Sequence, residues 1–264
     1  PLRSLFEHPT IWALSHDIQQ LTTKDSFSVV PPIVVQQRPD TIPLSFAQQR
    51  LWFLDQLLPN LALYNIPLAL RLTGSLNTIA LGKSFNTLIS RHEVLRTILP
   101  MTEGDAYQLV LPCLTIDLAN CLIDLSSLPK EQQEESVQNL ASQEANTPFN
   151  LSLGPLIRFK LLKLSSEEHV LLITMHHIIS DGWSMAIFFR ELSQLYKACV
   201  LGEEPKLPPL SIQYADFALW QRDWFQGEIF EQQLSYWKQQ LANIPDFLEL
   251  PTDRPRPKNL TYQG

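Results

Sequence analysis

Val170-Leu171-Leu172-Ile173-Thr174-Met175-His176-His177-Ile178-Ile179-Ser180-Asp181-Gly182-Trp183-Ser184 decides how the chain is read. The run before the histidines is short, almost wholly apolar and partly β-branched, which predicts a buried strand over 170–175. From Trp183 to Leu201 the apolar residues Ile187, Phe188, Leu192, Leu195, Tyr196 and Cys199 recur at helical spacing. Gly202 stands where a helix stop is expected. The two histidines therefore fall at a strand end, in a strand-to-helix turn that Gly182 is expected to tighten. Neighbouring strand residues point to opposite faces, so only one His can face a given cleft and the other must face the core or a neighbouring element. Asp181, four residues after His177, supplies a carboxylate. An imidazole beside an orienting carboxylate is the material of an acid/base site. The same residues also suit a core histidine and a helix N-cap at Asp181. No metal is expected, because adjacent histidines do not readily share one ion and no further ligand lies at suitable spacing.

Working outward, four stretches occur in order. They are Ser45-Phe46-Ala47-Gln48-Gln49-Arg50-Leu51-Trp52-Phe53-Leu54, Arg91-His92-Glu93-Val94-Leu95-Arg96-Thr97, His176-His177-Ile178-Ile179-Ser180-Asp181-Gly182, and Tyr214-Ala215-Asp216-Phe217-Ala218-Leu219-Trp220. Pro148-Phe149-Asn150-Leu151 and Gly154-Pro155-Leu156-Ile157-Arg158 add a fifth region. From about Pro43 onward the chain resembles the condensation domains of nonribosomal peptide synthetases, whose signature is HHxxxDG. A lone HxxxDG is shared by several acyltransferase families; the ordered set is far more specific.

The resemblance implies a chloramphenicol-acetyltransferase-like α/β lobe, with a mixed sheet flanked by helices, and peptide-bond formation between two thioesters. Each thioester would be tethered by 4'-phosphopantetheine to a carrier domain: an upstream donor and a downstream acceptor, beside an adenylation domain. It makes His177 the catalytic residue, either taking a proton from the attacking amine or positioning that amine. An imidazole's titration near neutrality suits the first role. His176, Asp181 and Gly182 become supporting residues, with the Gly182 N–H toward substrate. Asp181 is expected to pair with an arginine of the second motif, Arg96 being favoured over Arg91. Trp183 and Ser184 are placed at the substrate channel, and their presence after Asp-Gly resembles the subtype joining L-configured residues. Three rivals remain: an epimerisation domain, a CoA-dependent acyltransferase, and a non-catalytic docking domain, which would be expected to lose the His pair. The Asp-rich replacement found in cyclising relatives is absent.

Composition agrees with an ordinary folded protein: 264 residues, 45% hydrophobic, 18% charged, with a formal charge of -7. That acidity argues against a nucleic-acid or anionic-membrane partner, and no apolar run approaches about 20 residues. Cys113, Cys121 and Cys199 show neither disulfide nor metal spacing, as in a reduced cytoplasmic protein.

Residues 1–21 read as the end of a helical unit, with Leu2, Leu5 and Phe6 on one turn and Thr10 capping a helix through Ile11, Trp12 and Leu14. They resemble the closing helices of a peptidyl carrier domain, without its phosphopantetheine-bearing serine. Residues 22–42, with Pro31, Pro32 and Pro39, read as a linker. The N-terminal lobe of the condensation domain is expected over 43–225. Helices are predicted at Ser45 onward (capping box Ser45/Gln48), Asn77–His92, Pro129–Asn146 and 212–226. Strands are predicted over 64–73, 114–125 and 156–164, with a hairpin around Glu103-Gly104-Asp105. Residues 226–264 are expected to hold an inter-lobe helix and the start of a second lobe that is mostly absent. The 264-residue chain alone is therefore expected to lack condensing activity.

Overall fold

The computed structural model describes residues 7, 9–24, 30–245, 248 and 251–254. The expected apolar turn at Leu2, Leu5 and Phe6 lies outside them. Two units divide the chain, Pro1–Ile33 and Val34–Gly264. In the first, helix α1 spans Ile11–Lys24 and the Thr10 hydroxyl accepts from the Ala13 N–H at 3.2 Å, the expected cap.

The second unit runs β1 (Ile42–Pro43), α2 (Phe46–Leu57), β2 (Asn65–Thr73), α3 (Thr78–Arg91), a 3-10 turn (Glu93–Arg96), β3 (Thr97–Ile98), β4 (Met101–Thr102) and β5 (Asp105–Val110). It continues with β6 (Leu122–Asp124), α4 (Lys130–Asn146), β7 (Ile157–Lys163), β8 (Glu168–His176), α5 (Gly182–Leu201), α6 (Tyr214–Trp224) and α7 (Gly227–Gln240). The stretch expected as linker is entered from both sides. α1 continues to Lys24, while the Gln36 N–H donates to Asp216 at 3.2 Å and Arg38 pairs with Glu93 at 2.6 Å.

The main sheet has the order β2-β8-β7-β6, antiparallel except for the parallel β6–β7 pair. It is the mixed sheet the sequence predicts. β8 is central and buried along nearly its whole length, so its residues are apolar on both faces. Leu171, Ile173 and Met175 join a core with Phe85, Leu88 and Ile89 of α3 and with Phe188, Leu192 and Leu195 of α5. Val170 and Leu172 join a smaller core under α4 with Val137, Leu162 and Leu164. α4 brings few apolar residues to that face. It is fastened instead by Glu144, which meets both Arg158 and Lys160 of β7 at 3.0 Å.

Local chemistry sets the boundaries. Ser45 and Gln48 form the reciprocal capping box of α2. Glu103 and Gly104 both have positive φ, as a two-residue type I′ hairpin between β4 and β5 requires. Gly202 is left-handed at the end of α5, where its N–H meets the last carbonyls. The strand predicted over 114–125 is real only at Leu122–Asp124. The segment before it is held by side chains rather than a ladder, with Asn86 of α3 bonding both the N–H and the C=O of Ile116.

Candidate active site

β8 ends at His176, and the backbone there is pinned on both sides. His176 N–H donates to Leu156 O at 3.0 Å and His177 N–H donates to Tyr64 O at 2.8 Å. The chain then turns, with Ile179 N–H donating back to His176 O at 3.1 Å, and enters α5. The two histidines separate as the alternation demands: His176 is buried and His177 exposed.

His176 lies against the rings of Tyr64 and Phe149, with centroids 6.4 and 6.1 Å away. Its Nδ1 accepts from the Ile178 N–H at 3.1 Å, which leaves the ring proton on Nε2. Burial pushes its pKa down to about 4, and the neighbouring His177 adds to the shift. It is neutral at neutral pH.

His177 carries the opposite tautomer. Its Nδ1 lies 2.8 Å from Ser180 O; a carbonyl can only accept, so Nδ1 bears a proton, and in the neutral ring the lone pair is on Nε2. The exposed imidazole thus turns Nε2 away from the backbone, with its ring orientation fixed by a backbone group three residues on.

Asp181 is the N-cap of α5. Its Oδ1 accepts from Ser184 N–H at 2.7 Å and from the Ser184 hydroxyl at 2.6 Å, while its own N–H donates to that hydroxyl at 3.3 Å. These bonds to Ser184 hold its carboxyl below the usual carboxylate range, and nearby His177 contributes. Gly182 is the first residue of α5, and a Cβ there would meet nothing within 4 Å; the turn is tightened by the cap, not by this glycine. Trp183 is 81% exposed.

The expected Arg96–Asp181 pair is not formed. Arg96 closes the 3-10 turn and donates to Leu111 O, with Glu93 at 3.8 Å. Arg91 is also engaged elsewhere, with Glu191 of α5 at 3.0 Å and Pro208 O at 2.6 Å. The physical reason is that the capping box already uses the carboxylate of Asp181, whereas Glu191 is a buried carboxylate on the core side of α5 that needs cations. It takes a second partner in His92, 2.7 Å away. Glu191 escaped the sequence reading although the signal was there: it interrupts the apolar face between Phe188 and Leu192. Ser180 and Tyr64 act through backbone carbonyls, which no residue pattern reveals.

The first and fourth motifs meet each other. Ser45 Oγ and Tyr214 Oη are 2.9 Å apart, and Arg222 donates to Leu44 O at 2.7 Å while lying 4.1 Å over the Phe46 ring. α6 is thereby tied to the start of α2.

A sequence model described as Condensation domain matches residues 38–264. This chain belongs to the condensation domain family. One of the linear gramicidin synthase proteins of Brevibacillus parabrevis is 49% identical over 264 residues, all of this chain and 3% of that protein. Phosphinothricin tripeptide synthetase PhsC of Streptomyces viridochromogenes is 40% identical over 89% of this chain and 22% of its own length. The chain thus spans a small part of the curated relatives, which are nonribosomal peptide synthetases. Among solved structures, the X-domain in complex with OxyB from teicoplanin biosynthesis is 31% identical with a TM-score of 0.75, over 86% of this chain and 49% of that one. The starter condensation domain of rhizomide synthetase RzmA shares the fold, with a TM-score of 0.69 at 21% identity over 79% and 49% of the two chains. The lobe described above is thus the chloramphenicol-acetyltransferase-like lobe of a condensation domain, aligned to about half of each of these solved chains.

Proposed function

We propose that this chain forms the His-bearing wall of a condensation site that joins a donor acyl or peptidyl thioester to an acceptor aminoacyl thioester, both of the L configuration. The carrying observation is the tautomer of His177: Nδ1–H donated to Ser180 O, Nε2 free on an exposed ring. In the step, the acceptor amine attacks the donor carbonyl carbon, the C–N bond forms and the C–S bond breaks. Nε2 takes the proton the amine sheds and returns it to the departing thiolate. Positioning of the amine by the same nitrogen, with proximity of the two tethered ends, contributes alongside. Both 4'-phosphopantetheine arms belong to partner carrier domains, an upstream donor and a downstream acceptor beside an adenylation domain, and residues 1–21 close such a carrier. Asp181 acts by capping α5 and so fixing the turn; Trp183 lies open to the channel. Because the chain aligns to about half of each solved relative, the 264 residues alone are expected to give no turnover.

A docking role is the second reading, suggested by the 31% identity to an X-domain. The retained pair His176-His177 favours condensation. The test uses the full-length protein carrying this chain, with loaded donor and acceptor carriers, and reads the acceptor by intact-protein mass spectrometry. Dipeptidyl transfer that falls roughly 10²–10⁴-fold in a folded His177→Ala variant supports proton transfer at His177. Transfer unaffected by the substitution removes His177 from the mechanism, and no transfer in the wild type favours docking.

A further inference from the structure

A pocket of about 140 Å³ opens directly against the catalytic turn. Its walls are Ile179 and Ser180 of the turn, Met185, Ile187 and Phe188 of α5, Val94 and Leu95 of the 3-10 turn and Met175 of β8, with His92 and Ser184 at its polar edge. Its polar members already have partners. His92 Nε2 is bonded to Glu191, and the Ser184 hydroxyl to Asp181. What remains facing the space is aliphatic, aromatic and thioether surface. An apolar cavity of roughly 150 Å³ stays dry and takes a benzene-sized group, so this pocket suits one compact apolar side chain. It is not large enough for a peptide or a long acyl chain.

Resting on the condensation reading, we infer that this pocket receives the apolar side chain of an amino-acid residue on one of the two thioesters, and that Ile187 and Val94 set its size limit. Ser180 links pocket to chemistry: its carbonyl orients His177, and the residue itself lines the pocket. Occupancy therefore bears on the same turn that carries the base. An aliphatic side chain as large as leucine is accepted and contributes binding; a glycyl residue leaves the pocket empty and forgoes that apolar burial.

The test uses the full-length protein and pantetheine probes in which a thioether replaces the thioester, carrying leucine or glycine. N-acylated probes mimic the donor and free-amine probes the acceptor, so the arm that shows a preference identifies the source. Affinities are compared in the wild type, Ile187→Phe and Val94→Phe, each checked for fold by circular dichroism. Leucyl probes binding at least fivefold tighter than glycyl probes, with the preference erased by either filling variant, support the pocket. Equal affinities in the wild type, or a preference that survives both variants, overturn it. A Met185→Ala variant is expected to shift the preference at least threefold toward a phenylalanyl probe, and an unchanged ranking counts against the proposal. Binding does not need turnover. A wild type that shows the preference but no dipeptide transfer would sink the condensation reading and leave the pocket standing; transfer without any preference would do the reverse.

Discussion

The carbonyl oxygen of Ser180 lies 2.8 Å from Nδ1 of His177, while in the adjacent His176 the corresponding nitrogen accepts from a backbone N–H at 3.1 Å. Two neighbouring imidazoles therefore carry their protons on opposite nitrogens. Backbone groups impose this, so no side-chain substitution nearby should invert it. Nitrogen-15 NMR on selectively labelled protein at neutral pH is expected to show a protonated Nδ1 on His177 and a protonated Nε2 on His176. Matching tautomers in the two rings would remove the structural basis for Nε2 of His177 as the base.

His176 makes stability depend on acid. Its pKa is about 4 in the fold against 6.5 for a free imidazole. Between those values the unfolded chain binds the extra proton, so stability rises with pH across this window and is lost as pH falls through it. The full difference amounts to about 3 kcal/mol below pH 4, at 1.36 kcal/mol per unit. Melting temperatures from pH 7 to pH 4 should fall less steeply in His176→Phe than in the wild type. The phenyl ring fits the Tyr64 and Phe149 surroundings but cannot titrate. Parallel curves would show that the histidine is not buried neutral.

Much of this was legible in the sequence, and the misses have common causes. The apolar run at 170–175 and the helical period after Trp183 placed the central strand and α5, and the alternation at His176-His177 required the two rings to part without saying which is exposed; the family resemblance singled out His177. The capping box at Ser45/Gln48 and the helix stop at Gly202 followed from local rules that hold wherever they occur. Asp181 was legible in two ways, as cap and as ion-pair partner, and only the geometry separates them. The Arg91–Glu191–His92 cluster joins residues about a hundred positions apart, a distance over which periodicity carries no information. Residues 114–121 have strand-like composition, yet Asn86 takes both backbone groups of Ile116 and local turns at Asp117 and Leu118 bond the residues after it, so tertiary and local context overrode propensity.

Asp181 offers the sharpest separation of roles. As an N-cap it should tolerate asparagine, whose side-chain oxygen accepts the same Ser184 N–H, and should not tolerate alanine. Asp181→Ala is expected to cost about 1–2 kcal/mol, measured by urea denaturation, while Asp181→Asn stays within about 0.5 kcal/mol. Transfer activity should follow the same order. Equal loss in both variants would assign the work to the negative charge instead.

Arg96 and Arg91 can be told apart by double-mutant cycles. Breaking the buried pair with Glu191→Ala should destabilise by roughly 3–5 kcal/mol, since it leaves Arg91 without its carboxylate. The Arg91→Ala/Glu191→Ala cycle should show a coupling of about 1–3 kcal/mol. Arg96→Ala removes a bond to a carbonyl and should cost about 1 kcal/mol, with no coupling to Asp181→Asn beyond about 0.5 kcal/mol. A larger coupling between Arg96 and Asp181 would restore the ion pair that the geometry rejects.

Gly154 precedes β7 with φ +58°, and a Cβ built there would stand 2.6 Å from Cγ2 of Ile98. Alanine meets two separate costs, the left-handed backbone and the overlap with a buried side chain. Together they predict destabilisation of roughly 2–4 kcal/mol for Gly154→Ala, about 1 from the backbone and the rest from overpacking. Replacing Ile98 by alanine removes the methyl in the way and leaves the backbone cost. In the Ile98→Ala background, Gly154→Ala should therefore cost only about 1 kcal/mol, measured by chemical denaturation. An undiminished cost there would place the whole effect in the backbone, whereas a cost near zero would mean that the left-handed turn relaxes once Ile98 yields.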